Sequence, residues 1–304
     1  MDAYFPVSGI ETYLWLPPLV AFIISFFTSM AGVSGAVLIL PFQMSVLGFT
    51  SPAVSPTNMV FNIIAIPAGV YRYLREGRML WPLTAVVVAG TVPGVIAGGF
   101  IRLIYLPSPG PFKVFVGAVL LYIATRMFFD LLKYRKQNDV LVANSNATRD
   151  QWTAKTLEFS WRQYKFEFQG KVYKCHTAGI FALSLIVGII GGVYGIGGGA
   201  IIAPFFIAIF RLPIYTVAGA TLMGTLVTSV VGVIFYEFIA PLYETSQMAV
   251  SPDWALGALF GLGGMMGMYL GARLQKFIPA KWIKLMLGIL LLVVAIRYIF
   301  EYFY

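Results

Sequence analysis

The chain has 304 residues, of which 59% are hydrophobic and 11% charged, and carries a formal net charge of +9. With a mean hydropathy of +0.84 this composition excludes a soluble globular domain, because apolar runs of about 18 residues or more read as transmembrane helices. One cysteine, Cys175, and one histidine, His176, exclude an intramolecular disulfide and a His/Cys metal cluster, so no cofactor is expected; in a polytopic chain the basic charge marks cytoplasmic loops, not a nucleic-acid partner.

Only Asp2 and Glu11 are charged ahead of the first apolar run, so a cleaved signal peptide is not expected. That run, about 14–47, is interrupted by Gly32-Val-Ser-Gly35-Ala36, with Pro41 downstream. Helices are predicted next over about 55–72, 81–101 and 112–132. The stretch from Lys133 to Lys174 is the one sizeable polar region, with nine Lys/Arg against four Asp/Glu, which places it on the cytoplasmic side. Its first part, 138–150, reads as flexible, and Glu167–Tyr173, carrying Gln169-Gly170, reads as a short β-hairpin. A connector resting against lipid headgroups is the simplest role for it, and a partner-contact surface the alternative. A second apolar run, about 177–210, contains Gly192-Val-Tyr-Gly195-Ile-Gly197-Gly198-Gly199, with Pro204 downstream. Its Ala178–Gly192 part reaches spanning length only with the glycines included. Helices over about 214–239, 254–275 and 282–301 complete the chain.

The two halves overlay. Gly32, Gly35, Pro41 and Phe42 fall on Gly195, Gly198, Pro204 and Phe205 at one offset, and Thr57 falls on Thr221 after a one-residue slip. Trp81 matches Trp254, Gly94 and Gly98 match Gly267 and Gly271, and Lys113, Gly117 and Arg126 match Lys284, Gly288 and Arg297. The order and spacing of these matches indicate internal duplication: a first membrane repeat (1–132), a basic connector (133–176) and a second repeat (177–304). If each broken run enters and returns on one side, only Arg102, Lys113 and Arg297 of the 21 Lys and Arg lie outside. Treating the broken runs as single crossings moves more of them out, so the positive-inside rule favours hairpins. The expected fold is therefore an all-α polytopic membrane protein of two inverted repeats. Each repeat is a Gly-broken helical hairpin plus three transmembrane helices, and both termini lie outside.

Glycine is about 1 kcal/mol worse than alanine inside a helix, so five glycines between Gly192 and Gly199 mark a break. Irregular backbone at membrane depth persists only within protein or beside a water-filled cavity. A helix restarting there presents free N–H groups and its positive dipole end to an anion. Gly32, Ser34, Gly35, Gly195, Gly197, Gly198 and Gly199 are the candidates for that role, whereas Gly188, Gly192, Gly94, Gly98, Gly267 and Gly271 fit close helix packing. The helix after each break carries the polar side chains: Thr57, Asn58 and Asn62 in the first half, and Thr221, Thr225, Thr228 and Ser229 on one face in the second. They suit uncharged recognition of an oxyanion, or hydrogen bonds to backbone and neighbouring helices. Arg72 and Glu237, at helix ends, are candidates for coupling or gating, with interfacial snorkelling the alternative; Arg126 and Arg297 fit anchors of helix ends. No charged residue falls near a predicted helix centre and no activated nucleophile is evident, which argues against an enzyme.

The glycine run Gly195-Ile-Gly-Gly-Gly199 with Pro204, its echo Gly32-Val-Ser-Gly35 with Pro41, and the two-half layout resemble the TauE/SafE sulfite-exporter-like permeases, also called the 4-toluenesulfonate uptake permease family. The resemblance covers most of the chain outside the connector. It departs at Ser34 and Ala36, where the family often has glycine, and in the longer connector. It implies movement of sulfur-containing or carboxylate anions, such as sulfite, sulfonates or sulfoacetate, across the cytoplasmic (inner) membrane of a prokaryote, with protons as a coupling ion. The expectation is a secondary transporter working by alternating access. A passive anion channel, or a membrane-embedded assembly factor acting through the basic connector, are the alternatives.

Overall fold

A computed structural model describes all residues except 1, 32, 76, 78, 142–154, 161–162, 169, 211, 213, 245–247, 275–279 and 304. The chain opens on a hairpin of β1 (Asp2–Phe5) and β2 (Ile10–Tyr13), closed through Gly9 at φ +69. The first half follows as α1 (Leu16–Ala31), α2 (Ala36–Ser45), α3 (Val54–Ala65), α4 (Pro67–Arg75), α5 (Trp81–Ile104) and α6 (Pro109–Leu141). The connector holds an antiparallel sheet of β3 (Lys155–Phe159), β4 (Tyr164–Phe168) and β5 (Lys171–Cys175). The second half is α7 (Thr177–Tyr194), α8 (Ile202–Ile209), α9 (Ile214–Tyr243), α10 (Trp254–Leu274) and α11 (Ala280–Phe303).

Among the described residues six helices are long and apolar enough to cross a membrane: α5, α6, α7, α9, α10 and α11. The architecture is that of a polytopic membrane protein whose membrane part is α-helical. Both glycine-rich segments break the chain where expected, between α1 and α2 and between α7 and α8. Each break folds the chain back on itself. A Cβ at Gly35 would touch Ser25, Gly198 lies beside Gly188, and Gly179 lies against the Phe210 ring, so each short arm runs back along the helix before it.

Helix packing rests on glycine. Gly90, Gly94 and Gly98 of α5 meet Ser184, Gly188 and Gly192 of α7, and a Cβ at Gly94 would sit 2.5 Å from Leu185 O. In the same way Gly263, Gly267 and Gly271 of α10 meet Pro18, Phe22 and Phe26 of α1. Glycines one helical turn apart let two backbones touch, which is how helices associate where lipid supplies no hydrophobic drive. In both pairs residue numbers rise together, so the helices are parallel. The pairs are counterparts in the sequence overlay. By contrast α3 and α4 run antiparallel to α9, with Met59 beside Gly232 and Gly69 beside Leu222. Likewise α6 runs antiparallel to α11, with Gly110 beside Tyr302 and Gly288 beside Phe128.

Four details differ from the sequence reading. The helix expected over 55–72 is two, α3 and α4, because Pro67 lacks the N–H that would continue the ladder; α9 has no proline until Pro241 and stays whole. The helix α6 runs on to Leu141, into the stretch read as flexible, and the rest of that stretch lies outside the described residues. The N-terminal hairpin was not anticipated; it is tied to the start of α10 by Ser8, whose N–H and Oγ–H both donate to Asp253 Oδ2. Finally, the hairpin expected near Gln169-Gly170 is present as β4–β5, with Gly170 at φ +71, and gains a third strand, β3. The inward residues of β4, Tyr164, Phe166 and Phe168, are buried. Burial also pushes the Cys175 thiol up to about 11, so it stays protonated and weakly nucleophilic at neutral pH.

Candidate functional site

The helix α7 ends at Gly195, which adopts the left-handed conformation (φ +87) and donates its N–H to Gly191 O at 2.9 Å. This is the usual glycine helix stop. The chain then passes through Ile196 and Gly197 (φ +77) before α8 begins. The break lies against the middles of α5 and α9: Gly198 faces Thr91, and Gly197 faces Thr225 and Ser229. Gly199 packs so tightly on Thr221 and Thr225 that no side chain fits.

Past a helix end the carbonyls have no helical partner, and here side chains of α3 supply one. Asn58 Nδ2 donates to Gly195 O and to Ala36 O, both at 3.0 Å. Asn62 Nδ2 donates to Ile196 O at 2.9 Å and to Ser229 Oγ at 3.3 Å. Ala36 is the first residue of α2, so one amide group bridges the two breaks. Tyr194 adds a second link, its hydroxyl donating to Val37 O at 2.8 Å. All these side chains are fully buried.

A family model for the sulfite exporter TauE/SafE matches residues 18–298, nearly the whole chain. The chain belongs to the TauE/SafE family. A TauE/SafE protein is a multi-pass membrane transporter and not an enzyme, and this chain has the apolar helices for that role. It is similar to the probable membrane transporter protein YunE of Bacillus subtilis (strain 168), at 20% identity over 280 residues, covering 90% of this chain and 92% of that one. No solved structure matches the chain.

Set on this TauE/SafE frame, the candidates of the sequence fall into three groups. Gly195, Gly197, Gly198, Gly199, Asn58, Asn62, Thr221 and Thr225 come together around the second break, and Gly35 and Ser34 form the first. Ser34 Oγ accepts the N–H of Ala36 at 3.3 Å, a local side-chain turn that takes up one N–H at the start of that arm. Thr57 points elsewhere: its hydroxyl donates to Ala53 O and accepts the N–H of Asp253 at 2.8 Å, joining α3 to α10. Glu237 is exposed and accepts a 2.7 Å bond from Trp254 Nε1, away from both breaks. Arg72 lies on α4, its side chain outside the described set, as is Gly32.

The hydrogen-bond directions refine the chemistry. The N–H groups of Asn58 and Asn62 are spent on three carbonyls and the Ser229 hydroxyl, and their Oδ1 atoms are the ends without a partner among the described residues. Thr221 and Thr225 donate to backbone of their own helix. The donors left at the second break are backbone groups. Gly198 N–H is held by Thr228 Oγ1 at 2.9 Å, while those of Gly197, Gly199 and Ile201 meet no acceptor among the described residues. Tyr194, Ser55, Thr91 and Thr228 complete the surround. Of these, Thr228 stood on the polar face read from the sequence, and Tyr194 was legible as the lone polar aromatic inside the glycine run.

Proposed function

We propose that this protein is a secondary transporter of small sulfur-containing or carboxylate anions in the cytoplasmic membrane of a prokaryote, with its substrate site where the two breaks converge. The observation that carries this reading is the Asn58 amide, which holds Gly195 O and Ala36 O together at mid-bundle. In this reading Asn58 and Asn62 position the breaks, and the backbone N–H groups at the restart into α8 receive the anion. A string of free N–H groups at a helix start is a recurrent anion cradle.

The halves are read as inverted repeats. Supporting this, α3–α4 and α9 are counterparts in the overlay and run antiparallel, as do α6 and α11. Two inverted halves that meet through discontinuous helices suit alternating access around a fixed central site. The basic connector is assigned to the cytoplasmic face by the positive-inside count.

The test is uptake by proteoliposomes offered sulfite, thiosulfate, sulfoacetate or taurine, with and without an imposed pH gradient. Accumulation above the outside concentration, raised by the gradient, is expected for at least one of them. Equilibration without accumulation identifies a channel, and no flux of any of the four contradicts the assignment.

A further inference from the structure

Arg102 lies in the last turn of α5, one residue past the sequence-predicted helix end, and is fully buried. Its Nη1 donates to Leu106 O and its guanidinium stacks on Phe112, 3.8 Å from the ring centroid. Nε and Nη2 have no partner among the described residues. These two nitrogens form one edge of the planar guanidinium, the edge whose paired N–H groups match two oxygens of a carboxylate or sulfonate. Tyr236 of α9, whose neighbour Phe235 abuts Gly99 one turn before Arg102, is also fully buried, and its hydroxyl likewise has no partner among the described residues.

A buried guanidinium keeps its charge, and burying a charge without a counter-ion is strongly unfavourable. Of the carboxylates at this end of the helices, Asp253 is engaged by Ser8 and the N–H of Leu256, Glu237 by Trp254, Glu244 by the N–H groups of Val250 and Ser251, and Glu301 by Lys113, while Asp2 and Glu11 are exposed. We propose that the Nε–Nη2 edge of Arg102, with the Tyr236 hydroxyl, is a second oxyanion site. It would be occupied by the transported anion between one membrane face and the breaks, and in that respect it rests on the function proposed above. Its place on α5 suits this. Thr91, Gly94, Gly98 and Arg102 recur at helical spacing; Thr91 touches Gly198, and Gly98 touches Gly192 and Val193. Arg102 thus lies roughly 16 Å along α5 from the level of the second break. Enclosure of both groups by protein favours a small free anion over a lipid headgroup.

The test is anion binding to the purified full-length protein in detergent, titrated with sulfite and sulfoacetate, beside uptake kinetics in proteoliposomes. Arg102→Lys keeps a charge but loses the paired edge, and Tyr236→Phe removes only a hydroxyl. Each variant is expected to raise Kd and KM, Arg102→Lys by about tenfold or more, with maximal uptake less affected. Should Arg102→Lys fail to fold, Tyr236→Phe decides alone. Wild-type Kd and KM in the folded variants would overturn the site while leaving the transporter reading intact. Wild-type protein that neither binds nor moves either anion would overturn the site, and the same result with thiosulfate and taurine would overturn the transporter reading too. Displacement at this site by phosphatidylglycerol but by neither small anion would overturn it in favour of a lipid headgroup.

Discussion

Gly195→Ala is expected to abolish anion uptake and to lower the melting temperature of the purified protein. Two costs combine at this position. The left-handed backbone at φ +87 costs an L-residue about 1–2 kcal/mol. The added Cβ would also lie 2.5 Å from Ser55 O and 2.6 Å from Ser55 Cα, so either the break or α3 must move. Because Asn58 is on α3, that movement pulls apart the contact between the breaks. Gly48→Ala separates the two costs: Gly48 has φ +72 but nothing within 4 Å of the added Cβ. It is expected to lose stability modestly and to retain uptake. Equal uptake by wild type and Gly195→Ala would show that the close seat of the break on α3 is not needed.

Asn58→Ala is expected to reduce uptake by about tenfold or more, equivalent to about 1.4 kcal/mol. It leaves Gly195 O without its donor, and an orphaned buried acceptor costs about 1–3 kcal/mol. The loss falls on both breaks at once, since the same amide serves Ala36 O. Thr57→Val is the comparison, one residue away on the same helix. It removes the links to Ala53 O and Asp253 N–H but nothing at the breaks, so it is expected to cost stability more than transport. Uptake by Asn58→Ala within a factor of about two of wild type, in protein of normal abundance, would remove Asn58 from the site.

How much of this was legible in the sequence depends on the distance over which each feature is determined. The breaks are local: glycine where a membrane helix needs better formers, with the same spacing twice. The return of each arm could be read from the charges around it, because hairpins and crossings place Arg211, Arg273 and Lys284 on opposite sides. The β4–β5 hairpin was visible from its turn and alternation. What was hidden was set by residues far apart in the chain. Nothing near Asn58 says that its amide meets Gly195 O, 137 positions away, and so spends its donors on backbone. Arg102 entered the sequence reading only as one of three basic residues on the outer side, one residue past the predicted helix end; its burial depends on Phe112 and on the packing of α5 against α9. The split at Pro67 was readable from proline chemistry.

If both breaks face one anion, backbone hydrogen exchange reads both at once. The measurement is exchange in the full-length protein with and without a saturating concentration of whichever anion the proteoliposomes accumulate. Slower exchange is expected together in the segment holding Ser34–Val37 and in that holding Gly195–Ile202. Protection of only one segment, or of neither, by an anion that is demonstrably transported would contradict it.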